Sequence, residues 1–276
     1  MAPKGGRGGG GHISFGGGDG SNVDPTELAN IFNYVMLGLF GLYYIYTIRA
    51  TIQQKQQFPY VYLYHIVGIT TLAYLLAVLG QVLSNPVCFI PFGVFIRLST
   101  VLTWLFAFEP SRHIMNLKSS NPAFERTSLF NIKQYLHSGA GYAILFGYIY
   151  GLIYMVITIA YYAATATVAY NPTFQALGLY LSVGAWPFFL IWIYLAIIHQ
   201  KLIPHIKSFY SYGFFLLLAV VGRTVLVAGS GAMGEMAVTV VGFVLVDLSL
   251  FLGVYIGLRY GANWVGITKF DLVSKH

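Results

Sequence analysis

The chain is short of charge and of cysteine. Asp, Glu, Lys and Arg make up 8% of its 276 residues, against roughly 25% in an ordinary soluble domain. That scarcity excludes a soluble fold wrapped in a charged surface. One cysteine is present, Cys88, which rules out an intramolecular disulfide and any cysteine-based metal site. Its thiol reads as a packed, inert side chain. Glycosylation sequons are missing too, since Asn171 precedes Pro172 and Asn22 is followed by Val23 and Asp24. Nucleotide loops, catalytic triads and haem-ligand pairs are not evident, so the sequence leans away from an enzyme without deciding the point.

What the chain has instead is apolar length. It is 57% hydrophobic with a mean hydropathy of +0.71, and runs long enough to cross a bilayer recur along it. Residues 1–23, MAPKGGRGGGGHISFGGGDGSNV, come first. So much glycine predicts a disordered tail, and the stretch lacks the apolar core of a signal peptide. Asp24-Pro25-Thr26-Glu27 then reads as a helix start, with Asp as cap, Pro in the first turn and an acid beside it.

Seven spans follow. The first ends near Ile48, and the others are expected over about 60–83, 87–108, 135–169, 174–203, 209–227 and 236–258. The fifth contains Pro187, a kink or a break. Residues 109–133 read as the longest loop, part of it a candidate interfacial helix. The expected fold class is therefore all-α: a seven-helix transmembrane bundle over 24–258, followed by a short tail, 259–276. Gly147-x-x-x-Gly151 and Gly253-x-x-x-Gly257 are small-residue steps suited to close packing within it.

The basic residues carry an orientation signal. The formal net charge is +7, but Lys and Arg are scattered over short loops, which is no nucleic-acid footprint. Arg49, Lys55, Arg112, Lys118, Arg126, Lys133, Lys201, Lys207, Arg259, Lys269 and Lys275 all fall on one side of the alternating spans, and only Lys4 and Arg7 on the other. That asymmetry predicts an outside N-terminus and a cytosolic C-terminus. It also predicts an integral, multi-pass protein of the plasma membrane or an endomembrane.

Three charges fall deep inside apolar runs: Arg97, Arg223 and Asp247. A carboxylate at the bilayer centre is costly and calls for a partner. Asp247 and Arg97 each lie roughly 15–17 Å into their spans at 1.5 Å per residue, and Arg223 lies nearer the outer end of its own. The expectation is that Asp247 pairs with Arg97, Arg223 or both. Such a set either locks the bundle or, with two arginines against one acid, leaves a positive site for an anionic headgroup or carboxylate. The hydroxyls of Tyr148, Tyr150 and Tyr154, also deep, need partners of their own.

A second constellation is expected at the cytosolic rim: His65, Glu109, His113, His137 and His199. Neutral imidazoles with a carboxylate can hold zinc and activate water. Against this, the sequence has no His-x-x-x-His or His-Glu-x-x-His pair.

Seven spans with an outside N-terminus resemble the arrangement of rhodopsin-like and G-protein-coupled receptors. The resemblance is one of topology. Span seven has no lysine, so a retinal Schiff base in the usual place is excluded. Span three ends Glu109-Pro110-Ser111-Arg112 where those receptors have Asp/Glu-Arg-Tyr, and span seven lacks Asn-Pro-x-x-Tyr. The start MAPKGGRGGGG before seven spans also resembles uncharacterised integral membrane proteins of filamentous fungi. These likenesses imply a receptor or sensor taking a small or lipidic anionic ligand in the outer half of the bundle, with no resident cofactor. Its partners would be membrane lipids and a cytosolic protein at the basic loops. The alternatives by span number are a carrier resembling fungal lipid-translocating exporters and a zinc hydrolase resembling alkaline ceramidases or progestin and adipoQ receptors. A structural subunit of a membrane complex is the fourth.

Overall fold

In a computed structural model, the described residues are 24–53, 60–118, 135–136, 138–165, 172–229 and 234–266. The glycine-rich tail, His137 and the basic residues Lys55, Arg126, Lys133, Lys269 and Lys275 lie outside them. The described residues form helices α1 (Pro25–Gln53), α2 (Tyr60–Val82), α3 (Phe89–Lys118), α4 (Gly139–Thr165), α5 (Pro172–Val183), α6 (Trp186–His199) and α7 (Ile206–Gly229). They end with α8 (Glu235–Val241), a π-helical stretch (Gly242–Leu248) and α9 (Ser249–Trp264). Seven of the resulting helical lengths are long and apolar enough to cross a membrane. The protein is an all-helical, multi-pass membrane protein.

Local chemistry explains the ends. The Asp24 carboxylate accepts the Thr26 N–H at 2.8 Å, the cap that its position before Pro25 foretold. After α2, Ser84 takes a left-handed φ of 49°, the Asn85 N–H bonds back to the Gly80 carbonyl at 2.9 Å, and a 3-10 turn over Pro86–Cys88 leads into α3. The fifth span breaks at Gly184–Ala185, just before Pro187. Proline cannot donate to the carbonyl of Val183, so the helix stops at Val183 and restarts at Trp186. Beyond Gly242, span seven widens into π-type turns over seven residues, and it continues past the expected Leu258 boundary to Trp264.

The third helix departs most from the sequence reading. Glu109, Arg112 and His113, expected in a loop, are helical, because α3 runs through Pro110 to Lys118. Pro110 leaves the Phe106 carbonyl without its usual donor. The helix persists because Phe106, Ala107, Phe108, Glu109, Ser111 and Ile114 are all buried against neighbours. Burial of that whole face outweighs one missing hydrogen bond.

Each crossing packs antiparallel to the one before. Tyr44 bonds to Tyr64 between α1 and α2, Thr70 to Ser99 between α2 and α3, and Glu109 to Tyr148 between α3 and α4. Trp186 bonds to Thr224 between α6 and α7, and Trp264 to Ser208 between α9 and α7. Phe32 stacks on Phe243 and Tyr43 on Phe251, which brings α1 beside the last span. One end of the bundle, here the basic face, carries Arg49, Lys118, Lys201, Lys207 and Arg259. The opposite face carries Asp24, Glu27 and Glu235.

The core is aromatic: Trp104, Phe106, Phe108, Phe188, Phe209, Tyr212 and Trp264 are nearly sealed. Large apolar side chains also cover the outside, with Leu42 66% and Leu152 68% exposed. Apolar surface inside and out is what a helix needs when its solvent is lipid. Helices in lipid gain little from hydrophobic burial, so close packing carries association. Gly147, Gly151, Gly253 and Gly257 all face neighbouring helices of the same chain. At Gly213 a methyl group would overlap the indole of Trp192.

Gly213→Ala should therefore lower stability by about 1–3 kcal/mol through overpacking, read as an earlier thermal unfolding midpoint in detergent. Gly38→Ala, where nothing lies within 4 Å, should leave the midpoint level or raise it. Equal midpoints for both variants would contradict the packing described for Gly213.

Candidate functional site

Arg97 sits eight residues into α3, ~12 Å from the face opposite the basic one. Its Nη1 donates to the Leu181 carbonyl at 2.8 Å and to the Tyr154 hydroxyl at 3.2 Å. The Tyr154 hydroxyl itself donates to the same carbonyl at 2.6 Å. One residue after α5 ends, Gly184 offers its carbonyl to the Tyr150 hydroxyl at 2.7 Å. The break in span five thus collects polar side chains from α3 and α4 onto two backbone carbonyls.

Arg223 is six residues from the end of α7, ~9 Å deep by the same rise. It is 7% exposed, and its Nη2 donates to Thr100 Oγ1 at 2.9 Å. Thr100 passes its own proton to the Ile96 carbonyl at 2.8 Å. Arg97 and Thr100 are three residues apart, hence on one face of α3. Both guanidinium groups therefore address that face, and each lies within the other's electrostatic field.

Asp247 lies in the π-helical stretch, ~18 Å from the start of α8. Arg223 is within its field, and the buried Tyr74 hydroxyl of α2 faces it. Among the described residues no ion pair within 4.0 Å joins Asp247 to Arg97 or to Arg223; the pair that forms is Glu109–Arg112. Direct pairing was the expectation from depth alone. Depth says nothing about azimuth: Arg97 is drawn to the Leu181 carbonyl and Arg223 to Thr100. Beside Arg223, Gly222 lets α7 approach the π-helical backbone so closely that a methyl would stand 2.6 Å from Leu245 Cβ.

Of the second constellation, the described members, His65, Glu109, His113 and His199, do not come together in one cluster. Glu109 is 1% exposed, inside the bundle rather than on its rim. Its Oε2 accepts Arg112 Nη2 at 2.6 Å and Nε at 2.7 Å, and its Oε1 accepts the Tyr148 hydroxyl at 3.0 Å. Both carboxylate oxygens are occupied. His199, also buried, shares a hydrogen bond between Nδ1 and Ser111 Oγ at 3.0 Å. His65 is exposed, with its ring edge-on to Tyr64. His113 is half-buried on α3. Among the described residues no three His, Cys, Asp or Glu side chains stand close enough to share a metal ion.

The predicted demand of the three tyrosines is met: Tyr148 by Glu109, Tyr150 by Gly184 and Tyr154 by Leu181. Reading the residues in order did not single out Thr100, Ser111 or Tyr74. Thr100 had one available signal, its i, i+3 relation to Arg97; Ser111 and Tyr74 had none. Comparisons with known protein families, with curated proteins and with solved structures find no match to this chain.

Removing one partner of a buried ion pair strands the other. Arg112→Leu should therefore cost about 3 kcal/mol of stability, because Glu109 keeps only Tyr148. The double variant Glu109→Gln/Arg112→Leu should recover most of that loss, measured by thermal unfolding in detergent. No recovery would show that Arg112 acts through something other than the carboxylate.

Proposed function

We propose that this chain is a receptor- or sensor-like seven-helix membrane protein. It takes a small or lipidic anion at Arg97 and Arg223, from the side opposite its basic face, and it turns that basic face to the cytosol. The observation that carries the reading is the pair of guanidinium groups set on one face of α3, within each other's field, with a single carboxylate near them. A guanidinium has five N–H donors. The contacts of Arg97 use Nη1 and those of Arg223 use Nη2, so donors remain for a ligand on both. Like charges held close in a low-dielectric bundle repel, and a carboxylate or phosphate between them relieves that repulsion.

A second reading, a lipid carrier, is favoured by one observation. Span five is broken at Gly184–Ala185 and span seven is π-helical over Gly242–Leu248, around the same charged residues. Carriers build midplane sites from interrupted helices, and π-helical turns recur at functional sites.

The test is native mass spectrometry of the full chain extracted in mild detergent. A retained anionic lipid or small acid is expected, lost in Arg97→Gln and in Arg223→Gln. Asp247→Asn should bind it about tenfold more tightly, since a charge ~10 Å away at an effective dielectric of ~20 is worth roughly 1.7 kcal/mol. Retention that neither arginine variant disturbs would overturn the site. Movement of a labelled anionic lipid between leaflets of proteoliposomes, abolished by Arg97→Gln, would decide for the carrier over the sensor.

A further inference from the structure

The elbow between α6 and α7 borders an open-mouthed cavity of about 710 Å³ on the basic face. Its walls include Lys201, His205 and Lys207 on the elbow and Ile256 and Tyr260 on α9. No carboxylate among the described residues lines it. Lys201 and Lys207 are exposed and make no ion pair among the described residues. Arg259 is turned elsewhere: its Nη1 donates to the Tyr255 hydroxyl at 3.1 Å, and it lines a separate pocket with Tyr43 and Tyr46.

The elbow is built rather than slack. The N–H groups of Leu202 and Ile203 return to the His199 carbonyl, and His205 turns the chain with a left-handed φ of 52°. Ser208 is tied to α9 by the Trp264 indole N–H at 3.0 Å. The two lysines are thus carried on either side of a fixed turn, at the end of two membrane-spanning helices. Ile203, Ile206 and Ile256 give the same cavity an apolar wall.

We propose that this cavity binds the phosphorylated headgroup of an anionic membrane lipid. The lysines face the phosphates, and the isoleucine wall meets the glycerol and upper acyl region. Charge complementarity and place argue together. Basic pockets between spanning helices at a membrane surface match anionic headgroups, and a lipid arriving from the bilayer finds the apolar wall that a free anion would not need. The site is separate from Arg97 and Arg223, which lie toward the other face.

The experiment uses the full chain in detergent and three probes: short-chain phosphatidylinositol bisphosphate, short-chain phosphatidylcholine and water-soluble inositol trisphosphate, with affinity read by native mass spectrometry. The bisphosphate lipid should bind and phosphatidylcholine should not. Lys201→Gln/Lys207→Gln should weaken binding roughly twenty-five-fold, at about fivefold per lysine, while Lys201→Arg/Lys207→Arg keeps it. Both lysines are exposed, so the fold should tolerate either pair. The lysine variants change only the basic face, so their effect is read separately from the anion site in the opposite half. Equal affinity for phosphatidylcholine, or undiminished binding by the glutamine variant, would overturn the proposal. Equal affinity for inositol trisphosphate would overturn the lipid assignment in favour of a soluble phosphate ligand.

Discussion

Much of the bundle turns on one contact, Arg97 Nη1 on the Leu181 carbonyl. In a bilayer there is no water to satisfy a guanidinium or a carbonyl released at a helix break. Bringing the two together answers both needs and ties α3 to α5, with Tyr154 of α4 bonded to the same oxygen. Pro187 interrupts span five, and the carbonyls of that interruption are bonded by side chains from two other spans. A continuous fifth helix would offer Arg97 no such acceptor.

The same constraint shapes the other half of the molecule. Glu109 is sealed among aromatic residues, so it must be fully partnered where it stands. Arg112 supplies the opposite charge from one turn along the same helix, and Tyr148 occupies the remaining oxygen from α4. This arrangement needs α3 to stay helical through Pro110. His199 and Ser111 satisfy each other one layer further toward the basic face. Glu109 with Arg112 and His199 with Ser111 thus form two neighbouring pairs.

Polar residues in the two halves therefore differ in kind. Around Glu109 charge is balanced and oxygens are occupied. Around Arg97 and Arg223 positive charge is in excess, and Asp247 stands off behind Tyr74 in a stretch of π-helix. At the basic end the elbow between α6 and α7 carries two lysines on a cavity that no described carboxylate lines.

The sequence by itself determined the class of fold, the number of crossings, the cap at Asp24, the interruption near Pro187 and the need of three deep-lying tyrosines for partners. Those features follow from composition and from spacing along the chain, which a bilayer of fixed thickness converts into helices. It also located the three deep charges. Only the tertiary structure decided which groups they meet. Helix azimuth and tilt come from side-chain packing between spans, and that packing put Arg97 on Leu181, Arg223 on Thr100 and Asp247 beside Tyr74. Likewise, that α3 outlasts Pro110 was not legible along the chain. One lost hydrogen bond is a local quantity, whereas the burial of Glu109, Ser111 and Ile114 that outweighs it exists only once the other helices are in place.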